Sequence, residues 1–198
     1  MEEQRDGIPE HKRIIVISAP SGAGKTSITH RLLDRHPDWR FSISATTRPM
    51  RPHEEEGVDY YFLTDNEFGD CVHAGGMVEW EAIFGKRYGT LRREVERLLR
   101  DSEVNAVLFD VDVKGALSIR EAFPDDAILV FVAPPSIGEL ERRLRGRMTE
   151  SEESIRRRVE RAVMELEMQD RFDIIVVNDE LDRAVDAVDR LLAEHLPQ

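Results

Sequence analysis

The 198 residues contain a single cysteine, Cys71, so no disulfide can close within the chain. No Cys/His spacing suggests a zinc site, and the six histidines are scattered with no pair at ligand spacing. Long apolar runs are also missing. The longest extends from Ala127 to Ala133, far short of the roughly 20 residues a membrane helix needs. Met1–Arg13 is polar and has no apolar stretch of the kind a secretory leader carries. These absences point to the cytoplasm. Positive charge is in short supply as well: 28 Lys and Arg stand against 40 Asp and Glu, a net charge of −12. An acidic balance argues against non-specific nucleic-acid binding, which needs a basic face to displace counterions. Small anionic ligands stay open, because one site can be locally positive. No internal repeat or low-complexity tract is present.

Hydrophobic residues make up 40% of the chain and charged residues 34%. That is enough to bury a core, and the length suits one compact domain with inserted parts. Four short β-branched runs, Arg13–Ser18, Ala106–Val111, Ala127–Val132 and Asp173–Val177, are apolar nearly throughout, as strands covered on both faces are. Helical patterns lie between and after them: Lys25–Arg35, Val113–Phe123, Ser136–Gly146, Glu153–Gln169 and Leu181–His195. Ser136 and Glu139 stand at capping-box spacing, as do Thr149 and Glu152. Strand–helix–strand alternation predicts an α/β fold, a parallel sheet flanked by helices. From Trp39 to about Tyr88 the rhythm breaks into short strands and turns with one small helix, Asp65–His73, capped by Thr64 and Glu67. This segment reads as an inserted mixed α/β region. A second, arginine-dense excursion over about Arg142–Arg158 reads as a mobile flap between two helices.

The first strand runs straight into Ala19-Pro20-Ser21-Gly22-Ala23-Gly24-Lys25-Thr26, and a helix follows. This is the strand–loop–helix setting of a phosphate loop. Gly22 and Gly24 let the backbone turn so that several N–H groups point inward, and the helix N-terminus adds its positive dipole end. Lys25 would place a point charge on the β- and γ-phosphates, and the Thr26 hydroxyl can ligate magnesium. The usual first glycine is replaced by Ala19, while the Gly-x-Gly-Lys-Thr end is intact. The loop implies a nucleoside triphosphate, and by itself leaves GTPase, ATPase motor and small-molecule kinase open.

Within the inserted region Arg48 and Arg51 sit three apart on a proline-restricted, non-helical backbone. So stiff a segment can aim two guanidinium forks at one phosphate, and Tyr60 and Tyr88 add hydroxyl donors. Asp110 and Asp112 follow the Ala106–Phe109 run and share one face of the strand. They stand at the strand's C-terminal end, where open α/β sheets bind ligands.

The ordered set of motifs resembles the guanylate kinase family of bacterial type. The pieces are Ser-Ala-Pro-Ser-Gly-Ala-Gly-Lys-Thr (18–26), Ser-Ala-Thr-Thr-Arg-Pro-Met-Arg-Pro (44–52), Gly-Val-Asp-Tyr-Tyr-Phe (57–62) and Val-Glu-Trp (78–80). Phe-Gly-Lys-Arg-Tyr-Gly-Thr (84–90), Phe-Asp-Val-Asp-Val-Lys-Gly-Ala (109–116), Arg-Arg-Leu-Arg-Gly-Arg (142–147) and Val-Val-Asn-Asp (176–179) complete it. The resemblance implies a core (14–38, 91–141, 159–198), a GMP-binding region (39–90) and a lid (142–158), after a polar extension (1–13). It implies transfer of a phosphoryl group from ATP to GMP with Mg²⁺. ATP and GMP are then the partners, with no nucleic acid and no membrane, in a monomer or a homo-oligomer.

By the same resemblance Arg48, Arg51, Tyr60 and Tyr88 hold the GMP phosphate, while Ser44, Glu79 and Thr90 read the guanine, with Glu54 and Gly89 also in that site. Guanine presents N1–H and an exocyclic NH₂ side by side, and one carboxylate accepts both. Adenine offers a bare N1 acceptor there, which a carboxylate repels. A site built on such a pair rejects the wrong base by roughly 10⁴-fold, because its polar groups would go unpaired. Asp110 and Asp112 divide between magnesium, with Thr26, and the ribose or base of GMP. Lys25, Arg48, Arg143, Arg147 and Arg158 supply positive charge for catalysis, and Asn178 lies near the adenine of ATP. Four positions depart from the usual pattern: Met50 where proline is common, His53 and Met148 where glycine is, and Lys114 where glutamine is. An added cation at 114 could pair with Asp112 or reach a phosphate. Two other readings fit less of the sequence. A sugar-phosphate kinase would lack the paired arginines and Glu79, and a scaffold module that binds without catalysis would have degraded its phosphate loop.

Overall fold

Strand formers and helix formers alternate along the chain, and the computed structural model, which describes residues 13–83, 85–146 and 152–196, sorts them into layers. In chain order the first elements are β1 (Arg13–Ser18), α1 (Lys25–Arg35), β2 (Trp39–Phe41), β3 (Ser44–Thr46), β4 (Tyr61–Phe62), α2 (Asp65–His73), β5 (Met77–Ile83) and β6 (Lys86–Leu91). Then come α3 (Arg92–Arg100), β7 (Ala106–Asp110), α4 (Val113–Ala122), β8 (Ala127–Ala133), α5 (Ile137–Arg145), α6 (Glu152–Leu166), β9 (Ile174–Val177) and α7 (Leu181–His195). Five strands form one parallel sheet in the order β2-β7-β1-β8-β9. Because side chains alternate along each strand, the sheet builds two cores. Ile15, Ile17, Leu108, Val130 and Val132 pack with Ile28 and Leu32 of α1, Leu140 and Leu144 of α5, and Val188 and Leu192 of α7. Ile14, Val16, Val107, Phe109, Leu129 and Phe131 face the other way, onto α3 and α4.

The second sheet, β4-β3-β6-β5, is mixed. It has a small core of its own in Ala45, Phe68, Met77 and Leu91. The helix α2 is closed by a full capping box in which Thr64 Oγ accepts from the Glu67 N–H and the Glu67 carboxylate accepts from the Thr64 N–H.

Several boundaries differ from the sequence reading. Trp39–Phe41 pairs in parallel with β7 and extends the main sheet, so the second sheet begins at Ser44 rather than at Trp39. The helix α3 has no counterpart in the sequence reading. Its N-cap is Leu91, with no side-chain hydrogen bond to mark the start. Of the stretch 142–158, residues 142–145 close α5 and residues 152–158 open α6. Thr149, Met148 and Arg147 lie outside the described residues.

Candidate active site

β1 and β7 are neighbours in register, Ile17 opposite Asp110. The loop after β1 and the carboxylates after β7 therefore open side by side at the C-terminal edge of the sheet, where such sheets bind ligands. Gly24 is the N-cap of α1 at φ 97°, a conformation that disfavours any side chain. A Cβ there would come within 2.2 Å of Asn178 Nδ2. That side chain is buried beneath the loop and donates to the Ala23 carbonyl at 2.7 Å. Asn178 is thus placed as a brace for the loop backbone. Lys25 Nζ lies 2.5 Å from Asp110 Oδ1 and donates to the Val111 carbonyl at 2.8 Å. Thr26 Oγ1 donates to Asp110 Oδ2 at 3.1 Å. The Thr26 hydroxyl and the Asp110 carboxylate form a pair of hard oxygen donors, which fits a magnesium ion completed by phosphates and water. Among the described residues no group of three or more His, Cys, Asp and Glu is placed to hold a metal alone.

The phosphate loop is one wall of a cleft of about 400 Å³. The opposite wall comes from Ser44, Glu79, Tyr88 and Gly89 of the second sheet and from Tyr60 just before β4. Pairing of β3, β6 and β5 sets Ser44 opposite Thr90 and Thr90 opposite Glu79. Thr90 Oγ1 donates to Glu79 Oε1 at 2.6 Å. Burial in the cleft pushes the Glu79 carboxyl up to about 7, against the pull of the Thr90 hydroxyl and with further lift from the Asp112 and Glu81 carboxylates. Gly115, in the first turn of α4, lies against it: a Cβ there would meet Glu79 Oε2 at 2.9 Å and Asp112 Oδ1 at 3.1 Å. Asp112 is the N-cap of α4 and accepts from the Gly115 N–H at 2.9 Å.

Arg48 is held by a carboxylate fork. Its two terminal nitrogens donate to the two Glu54 oxygens at 2.8 Å each, and its guanidinium lies 5.2 Å from the Tyr60 ring centroid and 5.7 Å from that of Phe62. The Arg48 fork in turn holds the Glu54 carboxyl down at about 2. Glu54 is therefore placed as the partner that aims Arg48. Arg51 gives its N–H to the same carboxylate at 2.8 Å, while its side chain is 70% exposed. The Tyr60 and Tyr88 rings meet edge-on at 6.1 Å.

Of the arginines after α5 begins, Arg158 reaches the phosphate loop, donating to Ser21 Oγ at 3.2 Å. Arg143 is turned to Glu139 at 2.8 Å and to the Asn178 carbonyl at 3.0 Å, and does not line the cleft. Arg142, Arg145, Arg156 and Arg157 pair with glutamates of their own helices or the adjoining one. Lys114 pairs with Glu81, Nζ to Oε1 at 3.4 Å, which replaces both earlier expectations for it. The sequence reading missed Glu81, Arg161 and Glu165, which also line the cleft.

The fold and the cleft define a phosphate-loop protein whose loop shares one cleft with a wall built on a second sheet. A sequence model of the family described as guanylate kinase matches residues 11–195. Guanylate kinases of Salinibacter ruber and Chlorobaculum tepidum are 51% and 48% identical to this chain. The first match covers 88% of this chain and 92% of the relative, the second 94% of both. The crystal structure of a guanylate kinase from Anaplasma phagocytophilum superposes with a TM-score of 0.77 at 27% identity, over 96% of this chain and 89% of that one. A gluconokinase from Sinorhizobium meliloti shares the fold alone, at a TM-score of 0.52 and 18% identity. The chain belongs to the guanylate kinase family.

Proposed function

We propose that this protein transfers the γ-phosphoryl group of ATP to GMP, giving ADP and GDP. The observation that carries the reading is the single cleft lined on one side by the phosphate loop and on the other by Ser44, Tyr60, Glu79 and Tyr88. A triphosphate on the loop and a nucleoside monophosphate on the second sheet would face each other across it. The five-stranded sheet and its helices act as the core. The region around the second sheet takes GMP, and the arginine-rich α5–α6 stretch serves as the lid. No helix among the described residues is long and apolar enough to cross a membrane, and the reading places the enzyme in the cytoplasm with its nucleotide substrates.

The acceptor needs no general base. The GMP phosphate is largely dianionic at neutral pH, with a second pKa of about 6, so its oxygen is already a nucleophile. What the protein adds is alignment and charge. Loop N–H groups and Lys25 hold the β- and γ-phosphates of ATP. Arg48, fixed by Glu54, and Arg51 hold the GMP phosphate together with the Tyr60 and Tyr88 hydroxyls. Ionised Glu79, steadied by Thr90, accepts the guanine N1–H and NH₂, and Ser44 donates to O6. Asp112 holds the ribose or the base edge. Thr26 and Asp110 would hold magnesium, directly or through water; bound there, it supplies charge neutralisation at the β- and γ-phosphates. Arg158, already at Ser21, stabilises the transferring group, joined on closure by Arg143 and Arg147. Closure also excludes water, which would otherwise hydrolyse ATP.

A coupled ADP-release assay with GMP, AMP, UMP and dTMP as acceptors tests the reading. Rapid turnover with GMP and little with the other three is expected. Equal rates with AMP would overturn the base assignment, and no turnover with any acceptor would overturn the reaction.

A further inference from the structure

Arg161, in α6, donates to carboxylates from three elements. Its terminal nitrogen lies 2.5 Å from Asp112 Oδ2 at the start of α4 and 3.3 Å from Glu81 Oε2 on β5, and Nε lies 2.7 Å from Glu165 Oε1 one turn further along α6. The side chain is 24% exposed and lines the cleft. Glu81 stands two residues after Glu79 on β5, hence on the same face of the strand, and is pinned from the other side by Lys114. Asp112, the other anchor, packs within contact of the same Gly115 site as Glu79. One turn before Arg161 on α6, Arg158 reaches Ser21 in the phosphate loop. A single helix therefore touches the donor wall with one arginine and the acceptor wall with the next.

We propose that Arg161 is a positioning residue for the acceptor: its guanidinium bridges Asp112 and Glu81, fixing the guanine-reading wall to the helix that carries Arg158. The planar guanidinium matters, because one terminal nitrogen meets Asp112 and Glu81 while Nε holds Glu165, an arrangement that a point charge on one nitrogen reproduces less well. The bridge also balances charge. Glu79, Glu81, Asp112 and Glu165 line the cleft together. Burial and the neighbouring Asp112 push Glu81 up to about 7. Removing the cation leaves that wall over-negative where an anionic nucleotide must bind.

This inference rests on the GMP reading above, so the test measures GMP and ATP binding calorimetrically for the wild type beside Arg161→Ala, Arg161→Lys, Glu81→Ala and the Arg161→Ala/Glu81→Ala pair. Arg161→Ala is expected to weaken GMP at least tenfold, change ATP no more than about twofold, and lower kcat far less than it raises KM for GMP. Arg161→Lys is expected to fall between wild type and Arg161→Ala. The double variant is expected to bind GMP better than the two single losses multiplied together, because removing Glu81 relieves the uncompensated charge. Equal weakening of GMP and ATP, wild-type GMP affinity in Arg161→Ala, or multiplying losses in the double variant would each overturn the proposal. If Arg161→Ala does not fold, Arg161→Lys decides alone, since wild-type GMP affinity in it removes the bridge. A wild type that fails to bind GMP would instead remove the function on which the inference stands.

Discussion

Glu79→Gln keeps the side-chain volume and removes the charge at the centre of the proposed guanine site. In the free protein burial pushes the Glu79 carboxyl up to about 7. The ordinary value is 4.5, and one pH unit is worth about 1.4 kcal/mol. Ionising this group inside the fold therefore costs on the order of 3 kcal/mol. The fold favours the protonated form, so the contribution to stability is complete below the ordinary carboxylate range and is lost as pH rises to about 7. The glutamine variant escapes that loss. It is expected to melt with the wild type near pH 4.5 and above it at pH 8, by about 6–12 °C at roughly 2–4 °C per kcal/mol for a chain of this size. Binding runs the opposite way. Only the ionised carboxylate accepts both guanine donors, and a hydrogen bond to a charged partner contributes about 1.5–3 kcal/mol. The variant should thus bind GMP roughly 10- to 150-fold more weakly at pH 8. Wild-type affinity should fall as pH drops below about 7, while the variant's affinity follows only the GMP phosphate, whose own titration near pH 6 cancels in the ratio of the two proteins. Calorimetric GMP titrations and thermal melts across pH 5–8.5 read both effects. A variant that binds GMP like the wild type, or a ratio that does not change with pH, would refute the reasoning.

Lys25→Ala removes the cation 2.5 Å from Asp110; turnover in the ADP-release assay is expected to fall at least about 10²-fold, with GMP affinity kept within a few-fold. Glu54→Ala frees Arg48 from its fork and is expected to raise KM for GMP about tenfold, as one charge-assisted contact loses its aim, without moving KM for ATP. Asn178→Ala strips the Ala23 carbonyl of its donor; a loss of about 1–3 kcal/mol in stability is expected, read as a lower melting temperature, together with a higher KM for ATP.

Local chemistry is what a sequence carries most plainly. The phosphate loop and the capping box of α2 were legible because each is written in consecutive residues whose backbone needs are specific. The strands β1, β7 and β8 were legible because burial on both faces makes them continuously apolar. Elements without such marks were lost. The helix α3 has no capping side chain and is mostly charged, and β2 is three residues whose membership of the main sheet depends on pairing with β7. In the site, motifs brought Glu79 and Thr90 to light, but partners were hidden. Arg161 meets Glu81 across 80 positions and Asp112 across 49, and Asn178 meets Ala23 across 155. No local pattern encodes those distances, and for that reason Lys114 was expected at Asp112 or a phosphate rather than at Glu81.

In the proposed reaction two nucleotides lie in one cleft and exchange a phosphoryl group directly, with no protein residue carrying it between them. Stereochemistry at phosphorus tests this most directly. ATP with a chiral, isotopically labelled γ-thiophosphate is incubated with GMP, and the configuration of the thiophosphate on the GDP analogue is determined. A single in-line transfer predicts inversion. Retention, the mark of a covalent phospho-enzyme and two displacements, would contradict the account.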